Sequence, residues 1–326
     1  MRADDVAKVR FAPSPLWETT NAVRVLSDPR QQRYHLPWLD KVRPQLDDID
    51  IAPLLAIQPK RGYIPDLISP MPTHPRVTAA EQLAEVRATP LAVVKEEINR
   101  SLNERNGEPA PDVLHEMARH PRKARDRLAT ALDECWHRLV EPWWPRIANL
   151  LSADITYHSR LLADGGLARL FPAIDHRISW TGTTVRLSTG AHPGVHGRDT
   201  GGLGLLLQPS AFGWPSLVAV WDERYQPTIV YPARGVAELW QPRVTDGDAA
   251  LARLIGRTRA ALLASVVEPA TTSTLARRHD LALATVSEHL SALAAAGLAT
   301  GSRTGRSVLY SITALGEALL AGEPLK

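Results

Sequence analysis

Apolar residues recur with two different periods along the chain. Up to about residue 171 the spacing is helical. A short extended start, Val6 to Ala12, precedes a helix over Leu16 to Leu26 that carries Leu16, Ala22, Val23 and Leu26. Val77 to Leu102 sets Leu83, Val86, Val94 and Ile98 at helical spacing, interrupted at Pro90, where a missing N–H and a ring clash stop a helix. Asp112 to Glu141 continues with Leu114, Met117, Leu128, Leu132 and Leu139. Pro142 and Pro145 break that pattern around Trp143 and Trp144, and Ile147 to Leu162 resumes a helix ending at Gly165-Gly166. Beyond Phe171 the pattern changes to short β-like runs: Ile178 to Thr181, Thr184 to Ser188, Leu203 to Gln208, Leu217 to Trp221 and Thr228 to Tyr231. Gly, Pro and Asp separate them, which predicts an antiparallel sheet or meander.

A third pattern follows a boundary. All nine tryptophans precede Asp248, and of the prolines only Pro269 and Pro324 lie beyond it. The segment QPRVTDGD after Trp240 has the composition of a linker. A chain of 326 residues exceeds the roughly 100 to 150 typical of one domain. The expected organisation is an α+β domain over 1–240, a linker over 241–247 and a second domain over 248–326.

In the second domain, Thr274 to Arg278 predicts a short helix and His279 to Ala282 a connecting turn. The next helix then carries Val286, Leu290 and Leu293 at i, i+4 and i+7. That stripe anchors the helix and leaves Thr285, Ser287, Glu288 and His289 on the other faces. Gly297 ends the helix as a left-handed cap, and Leu298 to Arg303 with Ser307 to Ile312 form a hairpin about Thr304-Gly305-Arg306. Helix, turn, helix and basic-tipped hairpin make a winged helix-turn-helix, whose second helix enters the major groove of DNA.

The stretch TVSEHLSALAAAGLATGSRTGRSVLYSIT resembles the recognition helix and wing of the ArsR/SmtB family of bacterial repressors, the likeness covering Asp248 to the C-terminus. It implies a homodimer packed through Asp248 to Val267 and Thr313 to Ala321, with DNA contacts from Ser287, Glu288, His289, Arg303 and Arg306. Arg277 and Arg278 converge on the same side. Two departures stand out. Asp280 occupies a turn position where glycine is usual, and Ala282 replaces a capping serine, a loss of about 1 kcal/mol. Glu288 stands where a base is common; a carboxylate there specifies, by accepting from a cytosine amino group, rather than attracts. Many family members sense metals through a Cys-x-Cys pair, but the corresponding ATTSTLA, Ala270 to Ala276, has no thiolate. The N-terminal stretch PSAFGWPSLVAVWDERYQPTIVYPARG resembles the long extensions of actinobacterial members, for which the resemblance implies no activity.

Charge adds little. The chain's net charge is +3, and in the second domain Arg253, Arg257, Arg259, Arg277, Arg278, Arg303, Arg306 and Lys326 face Asp248, Glu268, Asp280, Glu288, Glu317 and Glu323. An electrostatic footprint must come from where those arginines converge. The single cysteine, Cys135, lies among Leu128, Leu132, Trp136 and Leu139 and reads as a buried helix residue. One cysteine, no leader and no membrane-spanning apolar run together predict a soluble protein of the cytoplasm, associated with the nucleoid.

In the first domain His192, His196 and Asp199 have metal-like spacing but lack an evident fourth ligand, and read as an ordinary loop. Thr200-Gly201-Gly202-Leu203-Gly204 matches neither a dinucleotide fingerprint nor a P-loop and reads as a turn. Neither a cofactor nor a metal is expected, and catalysis has no nameable nucleophile or base. The tryptophans chiefly fill a core. A ligand pocket built from Trp180, Trp214, Trp221, His176 and Tyr231, or an aromatic partner surface, stays open beside that use. The expectation is therefore a dimeric repressor binding double-stranded DNA, with a small organic effector or a partner acting on the first domain. A protein-interaction winged helix, or a small-molecule enzyme fused to a DNA-binding domain, remain as alternatives.

Overall fold

The computed structural model describes residues 1, 3–27, 33–60, 62–188, 199–213, 215–220, 222–240, 247–267, 269–304 and 307–321. The chain divides into two compact units, Met1–Gln241 and Pro242–Lys326.

The first unit is mixed α and β. It begins with helix α1 (Ala3–Ala7) and strand β1 (Arg10–Phe11), so the extended start expected from Val6 shrinks to two residues. Helix α2 (Pro15–Ser27) starts with Pro at its first position, where no N–H is required, and Ser14 Oγ accepts from Trp17 N at 3.1 Å. Helices α3 (Leu36–Val42), α4 (Ala52–Ile57), α5 (Ala79–Ala88) and α6 (Leu91–Asn103) follow. Thr78 and Glu81 form a capping box on α5, and Pro90 separates it from α6 as expected. The run over 112–141 is not one helix. It splits at His120 into α7 (Asp112–Arg119) and α8 (Pro121–Cys135), followed by a π turn over Trp136–Val140.

Helix α9 (Trp144–Ile174) consists of two helical segments that meet at a kink at Gly165-Gly166, where the first segment ends as expected. Both residues leave helical geometry, Gly166 at φ 63, and the helix resumes beyond them to pack Leu167, Leu170 and Phe171 against the sheet. A separate antiparallel pair, β2 (Ile178–Trp180) and β3 (Val185–Leu187), precedes β4 (Leu206–Ser210), β5 (Val218–Val220) and β6 (Thr228–Pro232). The expected antiparallel meander is corrected here. The sheet order is β1-β4-β6-β5, with β4 parallel to both β1 and β6, and only β5–β6 antiparallel. Strand β4 is buried throughout because both of its faces are covered. Leu207, Ile229 and Tyr231 face the second half of α9, and Leu206 and Val220 face Ala12 and Met71.

The helical core holds Trp38, Trp136 and Trp240, with Trp143 and Trp144 packed on its edge. Trp38 Nε1 donates to the Leu139 carbonyl at 2.9 Å, and Trp240 Nε1 donates to His35 Nδ1 at 2.8 Å, so the large rings bury their polar atoms satisfied. Cys135 is buried in the same core and its thiol is pushed up to about 12 by that burial, which removes its nucleophilic form at neutral pH.

In the second unit, α10 (Gly247–Ile255) and α11 (Arg257–Ser265) replace the single helix expected over 248–267; Gly256 breaks it at φ 92. Then come β7 (Ala270–Thr271), α12 (Thr272–His279), α13 (Leu283–Ala295), β8 (Ala299–Thr304), β9 (Ser307–Ile312) and α14 (Ala314–Ala321). The strands form a sheet in the order β7-β9-β8. Gly316 lets α14 lie against the turn after α13: a Cβ there would sit 2.2 Å from the Leu298 carbonyl oxygen.

Candidate nucleic-acid interface

Thr271, paired with Leu309 across β7–β9, caps α12 by accepting from Thr274 N at 3.3 Å. The helix runs two residues further back than Thr274 and on through His279. Asp280 then turns the chain in the left-handed conformation, φ 52 and ψ 47. Aspartate is one of the few side chains that tolerate this geometry, so it fills the position suited to glycine. The Leu281 N–H closes the turn on the Ala276 carbonyl at 3.0 Å.

Helix α13 begins without a side-chain cap at Ala282. Its stripe of Val286, Leu290 and Leu293 is buried against Leu262, Leu263, Val266 and Leu275, which fixes how the helix is rolled. That roll leaves Ser287 and Glu288 exposed and Thr285 and His289 half-buried. Gly297, at φ 71, terminates the helix in a Schellman arrangement: Leu298 N donates to Leu293 O at 2.9 Å and Gly297 N to Ala294 O at 3.0 Å. The chain passes directly into the hairpin, whose last pair is Thr304↔Ser307.

Arg277 and Arg278 are exposed on the last turn of α12, and Arg303 is exposed near the end of β8. None of the three forms an ion pair among the described residues. Arg306 lies outside the described residues. One exposed helix face carrying a hydroxyl and a carboxylate, with uncompensated guanidinium groups on the preceding helix and on the hairpin, can donate to phosphate and read polar edges. His279 is occupied otherwise, with its Nε2 2.8 Å from Ser265 Oγ.

Of the five positions expected to build a pocket, His176, Trp180 and Tyr231 are described, and they sit in different surroundings. His176 is 91% exposed at its side chain. Trp180 packs on Phe171 with ring centroids 6.0 Å apart. Tyr231 is fully buried, and its hydroxyl donates to Asp154 Oδ2 at 2.9 Å. Trp214 and Trp221 lie outside the described residues, as do His192 and His196. Asp199 accepts from Gly201 N at 3.1 Å, a local turn contact. Among the described residues no group of three or more His, Cys, Asp and Glu is placed to hold a metal.

Two features escaped the sequence pattern. Asp154 and His158, one turn apart on α9, join Tyr231 in a buried set: His158 Nδ1 lies 3.0 Å from Asp154 Oδ2, and Arg234 N donates to Asp154 Oδ1 at 3.0 Å. It has the chemistry of an acid–base array but is sealed, with His158 and Tyr231 each 1% exposed. The other is a groove of 620 Å³ where α7 meets α8, lined by Leu91, Ala92, Lys95, Arg119, His120 and Arg122 among others.

Residues 95–237, less than half of the chain, match a family described as "Family of unknown function (DUF5937)". No curated protein and no solved structure matches the chain. Among the described residues no helix is long and apolar enough to cross a membrane.

Proposed function

We propose that this chain is a sequence-specific DNA-binding transcriptional regulator, acting as a dimeric repressor, whose second unit is a winged helix-turn-helix and whose first unit receives a non-metal signal or drives assembly. The observation that carries the reading is the order α11, β7, α12, α13, β8, β9, with α13 rolled so that its apolar stripe is buried and Ser287 and Glu288 face outward. That order is the docking layout in which the second helix of the pair enters the major groove and the hairpin reaches the flanking backbone. Thr285 and His289 flank the reading face, and Arg277, Arg278, Arg303 and Arg306 hold phosphates. The uncapped start of α13 adds backbone N–H groups suited to an anion.

Exposed apolar side chains on α10 and α14 favour the dimeric part of this reading. Leu254 on α10 is 76% exposed and Leu315 on α14 is 37% exposed, while Ile255, Leu319 and Leu320 are only partly covered. A second copy packed on α10 and α14 removes this carbon from water and presents two α13 helices to successive major grooves, about 34 to 36 Å apart. The open cationic groove between the start of α6 and the α7–α8 junction is a place to test a small anionic effector.

Selection from a random duplex pool tests the assignment. Wild-type protein returns one motif with two-fold symmetry, and Ser287→Ala, Glu288→Ala and His289→Ala each change it. Recovery of the same motif by all three variants counts against this face of α13.

A further inference from the structure

The start of α13 presents carbon where a DNA-facing surface is expected to present polar atoms. Ala282, Leu283 and Ala284 are all exposed, Leu283 to 56%, although the same helix buries Val286, Leu290 and Leu293. Nothing about the fold demands a large aliphatic side chain there. Leu283 and Ser287 are four residues apart and so share one face, which places an apolar contact beside the hydroxyl of Ser287 and the neighbouring carboxylate of Glu288. The charge around it is mixed, exposed Asp280 and Glu288 standing against exposed Arg277 and Arg278, but the first turn of α13 itself carries no acid and the two arginines close the preceding helix, so a polyanion can approach this face. Of the groups that base edges offer in the major groove, only the C5-methyl of thymine is carbon.

Resting on the DNA-binding reading above, we propose that Leu283 and Ala284 recognise thymine methyl groups, so that at least one A·T pair is a fixed feature of each half-site. Glu288 supplies the complementary polar contact by accepting from a cytosine amino group, and Ser287 bonds to a neighbouring base edge. A methyl group buried against a leucine side chain is worth about fourfold in affinity.

The test replaces, one at a time, each thymine of a duplex selected by the full-length protein with uracil, which removes the methyl and keeps every hydrogen-bonding group. One or two positions in each half-site weaken binding by about fourfold in wild-type protein. In Leu283→Ala the same replacements cost less than about 1.5-fold, with an unchanged thermal melt because the side chain is exposed. A selected motif without an invariant A·T pair, uracil tolerated everywhere, or the full effect persisting in Leu283→Ala overturns the inference while leaving DNA binding intact. Recovery of no preferred sequence, with retention insensitive to salt, overturns the DNA-binding reading itself and the inference with it.

Discussion

Replacing Glu18 with Gln isolates a pH dependence built into the first unit. Glu18 is fully buried on α2, and its carboxylate accepts from Ala211 N at 3.1 Å and Phe212 N at 2.9 Å, tying the helix to the turn after β4. Burial raises its pKa from 4.5 to about 7, with those N–H groups and the Ser210 hydroxyl opposing the rise. A shift of that size corresponds to about 3 kcal/mol. Below pH 4.5 both folded and unfolded chains hold the proton and this stability is fully present. As pH climbs towards 7 the unfolded chain releases its proton first, and the stability is lost. His35 works in the opposite direction: burial lowers its pKa from 6.5 to about 4, so it adds stability as pH rises through that window and masks much of the fall. The difference between wild type and Glu18→Gln removes the histidine contribution. Urea unfolding followed by tryptophan fluorescence is the assay, because all nine tryptophans lie within residues 1–240. The wild-type advantage over Glu18→Gln declines by about 3 kcal/mol between pH 4.5 and 8. A difference that stays constant across that range refutes the reasoning.

Leu290→Ala removes a fully buried anchor of α13 and costs the second unit about 2 to 5 kcal/mol, seen as lost helix signal and lost DNA retention with the tryptophan transition kept. Arg303→Ala weakens binding to all duplexes alike and lowers the slope of log affinity against log salt by about 1, checked by titration at several salt concentrations. Leu254→Glu places a charge on the open side of α10 and converts the dimer to monomer in light scattering at micromolar concentration. Zinc, nickel, cadmium and a chelator each change DNA affinity by less than tenfold, about 1.4 kcal/mol, in a titration of the bound complex, because no thiolate stands in the second unit.

The parts of the fold written into short-range periodicity are legible, and those made by distant pairing are not. Val286, Leu290 and Leu293 announce α13 because one face of one helix must be apolar, and all three are buried; Gly297 announces its end because φ 71 suits glycine. Strand β7 has only Ala270 and Thr271, and exists through pairing with Tyr310 and Leu309 some forty residues away, so no local period marks it. Gly256 breaks α10 from α11 inside an apolar pattern that reads straight through, since one glycine in a helix costs only about 1 kcal/mol and is often tolerated. The spacing of the short runs suggests a meander, but the unbroken Leu205-Leu206-Leu207 is the mark of a strand covered on both faces, and β1 joins it from almost two hundred residues upstream. In the candidate interface the polar face of α13 is legible from the stripe opposite it. The exposure of Leu283 is not, because a leucine at that spacing reads equally well as core. Likewise, tryptophan content signals a large core but does not distinguish Trp38 and Trp240, packed inside it with tilted rings 6.3 Å apart, from residues that line a cavity.

Sequencing of genomic fragments retained by the purified full-length protein, at two salt concentrations, tests the central claim most directly. The account predicts enrichment of a small set of promoter-proximal fragments sharing a two-fold symmetric motif, with retention falling steeply as salt rises. Fragments recovered at their input frequencies, or retention unchanged by salt, would contradict it.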